Sequence, residues 1–163
     1  MSLAIAPNIT SDMRKEIDKQ YINNTKGYIT KFIKKAEIQV FRKKIEKLVF
    51  QGLRHKSIQA IIEKEYDLTK GDAEFLAQNE ACFFLSVYKS AKYQDSGIEE
   101  FEWRHTDLSK EPNLYHKNEL NGKVFRFDDL PIIDQTTGER GLPGQLPGCR
   151  CEARPVVPDT FWR

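Results

Sequence analysis

The amino-acid sequence predicts an α+β chain: long N-terminal amphipathic helices, then a small, mostly antiparallel sheet with long loops rich in proline and glycine. Three observations predict it. Apolar residues recur mostly at gaps of three, four and seven from Ile17 to Leu53, and again from Ala73 to Ala91, which is the period of one helix face. From Ile98 the texture changes to short alternating runs, Glu100-Phe101-Glu102-Trp103-Arg104 and Lys123-Val124-Phe125-Arg126-Phe127, as half-buried strands require. Proline and glycine then concentrate between Asp129 and Gly148, where they mark loops. Helices that precede strands, instead of alternating with them, argue for segregated α+β layers.

Residues 1–11 lack any period and are expected to be disordered or extended. Residues 12–66 form a basic helical arm or hairpin. Its first helix runs from residue 12 to about 53, capped by Ser11 or Asp12, with Ile17, Tyr21, Tyr28, Phe32, Ala36, Val40, Phe41, Ile45, Leu48, Val49 and Leu53 inward. A break is expected at Asn23–Gly27, because glycine inside a helix costs about 1 kcal/mol relative to alanine. Gly52 closes the long helix, and a shorter one follows from Ser57 to about Tyr66. Thr69 then opens a helix to about Gln94 in the manner of a capping box, with Asp72 three residues on. Ala73, Leu76, Ala77, Ala81, Phe84, Leu85, Tyr88 and Ala91 form its inner stripe, and Gly97 ends it. Residues 67–157 are expected to form one domain, this helix plus a small sheet. Its strands are Glu100–Arg104, Lys123–Phe127 and Cys151–Val157, and 105–121 and 129–148 are loops. Residues 158–163 are a tail.

The 163 residues are 39% hydrophobic and include ten Phe, six Tyr and two Trp. That suffices for one folded domain with an arm and excludes global disorder. No apolar run approaches the roughly 20 residues that span a bilayer. Met1–Thr10 has no positive region before a hydrophobic run, so an intracellular protein without a membrane partner is expected. The net charge is only +2, but Lys26 to Lys56 holds ten Lys/Arg against two acids, and Lys92 to Arg140 eleven acids against seven bases. The three cysteines, Cys82, Cys149 and Cys151, are an odd set with a C-x-C spacing that strains a mutual disulfide.

A succession of motifs carries a resemblance. Gly97-Ile98 is followed by Phe101-x-Trp103-Arg104-His105, His116, Leu120-Asn121-Gly122-x-x-Phe125 and Asp129-Leu130-Pro131. Then come Thr137-Gly138-Glu139-Arg140-Gly141-x-Pro143-Gly144 and Cys149-Arg150-Cys151-x-Ala153-x-Pro155-Val156. In order and spacing this resembles the Mu F-like phage head morphogenesis domain, also found in minor capsid proteins of the SPP1 gp7 type. The helix with Ala73, Leu76, Ala77 and Glu80 resembles that family's helical segment with its own acid. One departure is Asp107-Leu108-Ser109-Lys110-Glu111-Pro112-Asn113, where many members carry a D-x-R-x-R stretch and this chain has a single base. The resemblance implies a phage or prophage minor capsid protein that acts in procapsid assembly, portal-associated DNA packaging or genome delivery, without catalysis. It implies a place in the virion or procapsid interior after synthesis in the bacterial host cytoplasm. Portal, capsid or scaffold proteins are the implied partners, and no small-molecule substrate is expected.

Several residues carry a second, chemical reading. His105, His116, Cys149 and Cys151 supply imidazoles and thiols, the usual donors of a structural zinc site; the alternative is packed thiols beside a hydrogen-bonded histidine. A metal-dependent nuclease or hydrolase built on the same loops, with Asp107 or Asp129 as acid, is the alternative function. Lys31, Lys34, Lys35, Arg42, Lys43, Lys44 and Lys47 line a basic run that would contact DNA phosphates or an acidic partner surface in a salt-dependent way; the alternative is a solvated helix face. Arg150 faces away from the two cysteines and would meet phosphate or a partner's acid. Phe101, Trp103, Gly122, Phe125, Pro143 and Gly144 are expected to be structural.

Overall fold

The computed structural model describes residues 8–106 and 112–162; Asp107 and Lys110 lie outside them. The chain is α+β, with helices first and a small antiparallel sheet after them. It gathers into two compact units, one ending at Leu85 and one beginning at Ser86.

In the first unit, α1 (Ser11–Ile17) is capped by Thr10, whose Oγ1 accepts from Met13 N at 3.2 Å, and not by Ser11 or Asp12. It widens into a π-type turn over Asp18–Ile22 and stops before Gly27, which takes φ +89°. The long helix expected after Gly27 does not start there. Two 3-10 turns, Tyr28–Lys31 and Lys35–Glu37, surround an extended Lys34, and α2 covers only Ile38–Phe50. Ala36 and Val40 accordingly face solvent instead of the core. The chain then turns at Gly52 (φ +81°) into α3 (His55–Glu65), and at Asp67 into α4 (Lys70–Asp95), where Asp72 N donates to Thr69 Oγ1.

The inner face of α4 differs from the apolar stripe. Ala73, Leu76, Ala77, Glu80, Phe83, Phe84, Val87, Ser90 and Ala91 are buried at helical spacing, while Leu85 is 40% exposed. Three polar residues, Asn79, Glu80 and Ser90, belong to the buried face, so hydrophobicity alone rotates the stripe. Glu80 is tolerated there because Arg42 meets it: Arg42 Nε donates to Glu80 Oε1 at 2.9 Å, with both side chains almost wholly buried. Tyr21 Oη (3.2 Å) and Tyr28 Oη (2.5 Å) donate to the same carboxylate. Arg42 also donates to the carbonyls of Tyr21 and Asn24, closing the helix end that Gly27 interrupts. A buried ion pair is acceptable only when its remaining donors and acceptors are satisfied, and here they are. Across α1 and α2, Arg14 spans Glu46 at 2.8 and 2.9 Å.

In the second unit, Gly97 (φ +89°) ends α4, with Ile98 N donating back to Tyr93 O. Among the described residues the strands that follow are β1 (Glu100–Arg104), β2 (Val124–Arg126), β3 (Ile132–Asp134), β4 (Glu139–Arg140) and β5 (Glu152–Val156). The main sheet has the order β2-β1-β5, all antiparallel. β1 pairs Glu100 with Val156 and Arg104 with Glu152, and Phe101 with Phe125 of β2. Alternation buries Phe101 and Trp103 fully and leaves Glu102 opposite Arg154 on the outer face. Gly122 (φ +84°) turns the chain into β2. Two expected loops are partly regular. His116–Leu120 forms a π-type turn, and the Pro/Gly stretch holds the β3–β4 hairpin. The hairpin escaped the alternation rule because its strands are only two or three residues long; an Asp134 turn, with Thr136 N donating to its Oδ1, fixes it.

Candidate functional site

The β1–β5 register builds one edge of the site. Phe101 and Trp103 point inward, so His105 does too, and Ala153 opposite Trp103 puts Cys151 in the next inward position of β5. Extending the ladder by one pair brings His105 against Cys151, with Nδ1 3.4 Å from Sγ. Thr106 Oγ1 donates to Arg150 O at 2.6 Å, which holds the β1 and β5 ends together, and His105 N donates to Asn121 Oδ1 at 2.9 Å, which ties the end of β1 to the turn before β2.

The other edge comes from the π-type turn and the Pro/Gly loop. Asn113 starts the turn, its Oδ1 accepting from His116 N at 3.2 Å, in the manner of a helix N-cap. His116 is then buried under Trp103, ring centroids 5.0 Å apart. Its Nε2 lies 2.8 Å from Ile133 O. A carbonyl can only accept, so Nε2 carries a proton and Nδ1 is the nitrogen turned inward. That Nδ1 is 3.5 Å from Cys149 Sγ. Gly144, buried at φ +88°, donates its N–H to the same sulfur at 3.3 Å. Its neighbour Pro143 accepts from Ser86 Oγ.

Donor atoms of His116, Cys149 and Cys151 all lie within 4.8 Å of one another, and no carboxylate joins them among the described residues. The cysteines form no disulfide. A cavity of about 30 Å³, room for one water-sized body, is lined by His105, Asn113, His116 and both thiols. Convergent lone pairs attract cations, and the proton is the smallest one. The thiol of Cys149 donates to Cys151; this contact, aided by burial, pushes Cys149 up to about 12, and the same contact, against burial, brings Cys151 down to about 7. Burial pushes the His116 imidazole down, but its contacts with Cys149 and the Ile133 carbonyl outweigh this and the net shift is upward. Trp103 Nε1 is buried with no acceptor at ordinary hydrogen-bond distance, yet it sits near enough to Cys151 to favour the thiolate.

The remaining predicted residues are not gathered there. Asp107 lies outside the described residues. Asp129 is on the surface, 4.0 Å from Arg140. Arg150 is half-buried and its guanidinium returns to Cys149 O at 3.1 Å. In the basic run, Lys31, Lys34, Lys35, Lys43 and Lys47 are exposed. Arg42 is a correction: it is buried against Glu80, so it is no surface contact. Lys44 is half-buried and paired with Glu65. The continuous charged helix that the run suggested is replaced by the short α2 and the broken segment before it. Sequence reasoning missed Asn113, the Gly144 N–H and the Ile133 carbonyl; only Asn113, three residues before His116, carried a readable signal as a helix cap.

A helix-then-sheet α+β chain with a thiol–imidazole cluster at the end of its sheet defines the class. Residues 39–154, from α2 into β5, match the family of phage Mu protein F like proteins, and the chain belongs to that family. Membership makes it a phage head morphogenesis protein. No curated protein and no solved structure matches it significantly. No helix among the described residues is long and apolar enough to cross a membrane.

Proposed function

We propose that the chain is a minor head protein, of the kind found in SPP1 gp7-type systems, that works without turnover during procapsid assembly, portal-associated packaging or genome delivery. The observation that carries this reading is the extent of the family match, which runs through the buried Arg42–Glu80 pair and the whole thiol–imidazole cluster. Both are parts of the scaffold rather than an open cleft. The cluster supports a non-catalytic role further: among the described residues it gathers two buried thiols and one buried imidazole, the donor types of a closed structural site, whereas metal-assisted hydrolysis needs an open position. Portal, capsid or scaffold proteins are the proposed partners in the virion or procapsid interior, with Lys31, Lys34, Lys35, Lys43 and Lys47 as the surface offered to DNA phosphates or an acidic partner.

The test is genetic and compositional. A phage or prophage carrying a nonsense mutation in this gene is expected to yield heads that lack the protein and are defective in assembly, DNA content or infectivity, restored by the gene in trans. Mass spectrometry of wild-type particles is expected to find the chain at low copy. Full-titre particles from the mutant, with the chain absent from wild-type virions, would overturn the reading. Plasmid cleavage by the purified protein that is lost in His116→Ala would overturn its non-catalytic part.

A further inference from the structure

We infer that Cys149, Cys151, His116 and His105 bind one zinc ion, in a closed structural site that ties the end of β1, the His116–Leu120 turn and the Pro/Gly loop together.

Distances argue first. Zinc–sulfur bonds of about 2.3 Å and zinc–nitrogen bonds of about 2.0–2.1 Å at tetrahedral angles place ligand sulfur and nitrogen about 3.5 Å apart. The sulfur–nitrogen separations are 3.5 Å for Cys149 with His116 and 3.4 Å for Cys151 with His105. The three most buried donors already lie within 4.8 Å of one another, and His105, beside Cys151, lines the same cavity from the strand side.

The surroundings argue independently. The other nitrogen of His116 is committed to Ile133 O, the arrangement that orients a metal-binding imidazole and fixes its tautomer. Gly144 N–H donates to Cys149 Sγ, and the buried Trp103 indole N–H faces Cys151 without an acceptor of its own at ordinary distance. Thiolates on a metal accept such N–H groups, so a metal-bound Cys151 satisfies an indole donor that the protein otherwise buries at a cost.

Donor chemistry selects the ion. Two thiolates and two imidazoles suit zinc, and the hard cations magnesium and calcium want oxygen. The structural benefit falls where the fold is thinnest. Segments rich in proline and glycine bury little apolar surface, and ligation supplies folding free energy that a small core lacks.

The experiment is metal analysis of the full chain, purified reduced and reconstituted with zinc, with cobalt(II) as the optical probe. Close to one zinc per chain is expected, together with a sulfur-to-cobalt charge-transfer band and tetrahedral d–d absorption. A strong chelator is expected to lower Tm, and zinc to restore it. His105→Ala, at the rim, is expected to fold and to weaken zinc affinity at least about ten-fold, comparable to losses on removing supporting groups around metals. Cys149→Ser is expected to abolish the charge-transfer intensity from that sulfur. Should Cys149→Ser fail to fold, the wild-type cobalt spectrum alone decides whether thiolates ligate. Failure of the reduced wild-type chain to take up stoichiometric zinc or cobalt would overturn the site. Undiminished affinity in His105→Ala would overturn its four-ligand form. Neither result bears on whether the chain is found in phage heads.

Discussion

The two units solve the same problem, polar groups inside a small core, in opposite ways. In the first, Glu80 is buried with its counter-charge, and Arg42, Tyr21 and Tyr28 all donate to it. Arg42 also lies over the Tyr21 and Phe83 rings, at 4.8 and 5.2 Å. Burial pushes its guanidinium pKa down, Glu80 more than reverses this, and the net shift is upward; burial and the Glu80 charge both raise Tyr21 and Tyr28. In the second unit the buried groups are lone pairs that face one another, beside an indole N–H that lacks a close acceptor. The first network is complete as it stands. The second is arranged around a point where a cation fits. A self-satisfied network tolerates no loss of a member, whereas a converging one depends on what it holds.

The largest effect expected from breaking this contrast is removal of the metal. Stripping zinc from the chain should lower hydrogen-exchange protection across β1, β5 and the His116–Leu120 turn and leave α2 amides protected. Uniform loss in both regions would mean that the contrast is false. Next is Arg42→Ala, which strands the Glu80 carboxylate. It should cost about 3–5 kcal/mol, read by urea denaturation. A combined Arg42→Met, Glu80→Leu, Tyr21→Phe, Tyr28→Phe variant should recover most of that, because apolar groups of similar volume replace buried ion pairs well. Gly141→Ala should cost about 1–3 kcal/mol by thermal melting, because a Cβ there would stand 2.2 Å from Gln145 Oε1. Gln145 would have to release Leu142 N and Glu139. Lys43→Ala with Lys47→Ala should leave stability unchanged and reduce the slope of DNA affinity against salt by about one for each phosphate no longer neutralised, measured by filter binding; an unchanged slope removes these lysines from any DNA surface. Smallest is Asp128→Asn. Asp128 is held below the ordinary carboxylate range by Arg126 on the open surface. A depressed acid contributes above its unfolded pKa and loses that contribution as pH falls through the folded one. The substitution should therefore lower Tm slightly at pH 7, and the difference from the unsubstituted chain should shrink to nothing as pH falls through the folded carboxylate pKa.

Much of the second unit was legible because its signals are local. Alternation placed β1 to the residue, and Gly97 and Gly122 marked turns that need positive φ. The first unit was harder. Its apolar period runs across Gly27 and Lys34, so one long helix looked continuous where the chain makes two short turns before α2. Arg42 read as one more surface base within a basic run.

By itself the sequence determined the order of helices and strands, the α+β class and the chemical types of the four candidate ligands. It did so because period, turn residues and donor chemistry are properties of neighbouring positions. Only the tertiary structure decided that Arg42 belongs to the core, since the carboxylate that neutralises it lies 38 residues away on α4. Only the tertiary structure decided, too, that His105 and His116 meet Cys151 and Cys149 respectively. Those meetings follow from the β1–β5 register and from the hairpin carbonyl that turns His116, and neither is written in the spacing of the residues along the chain.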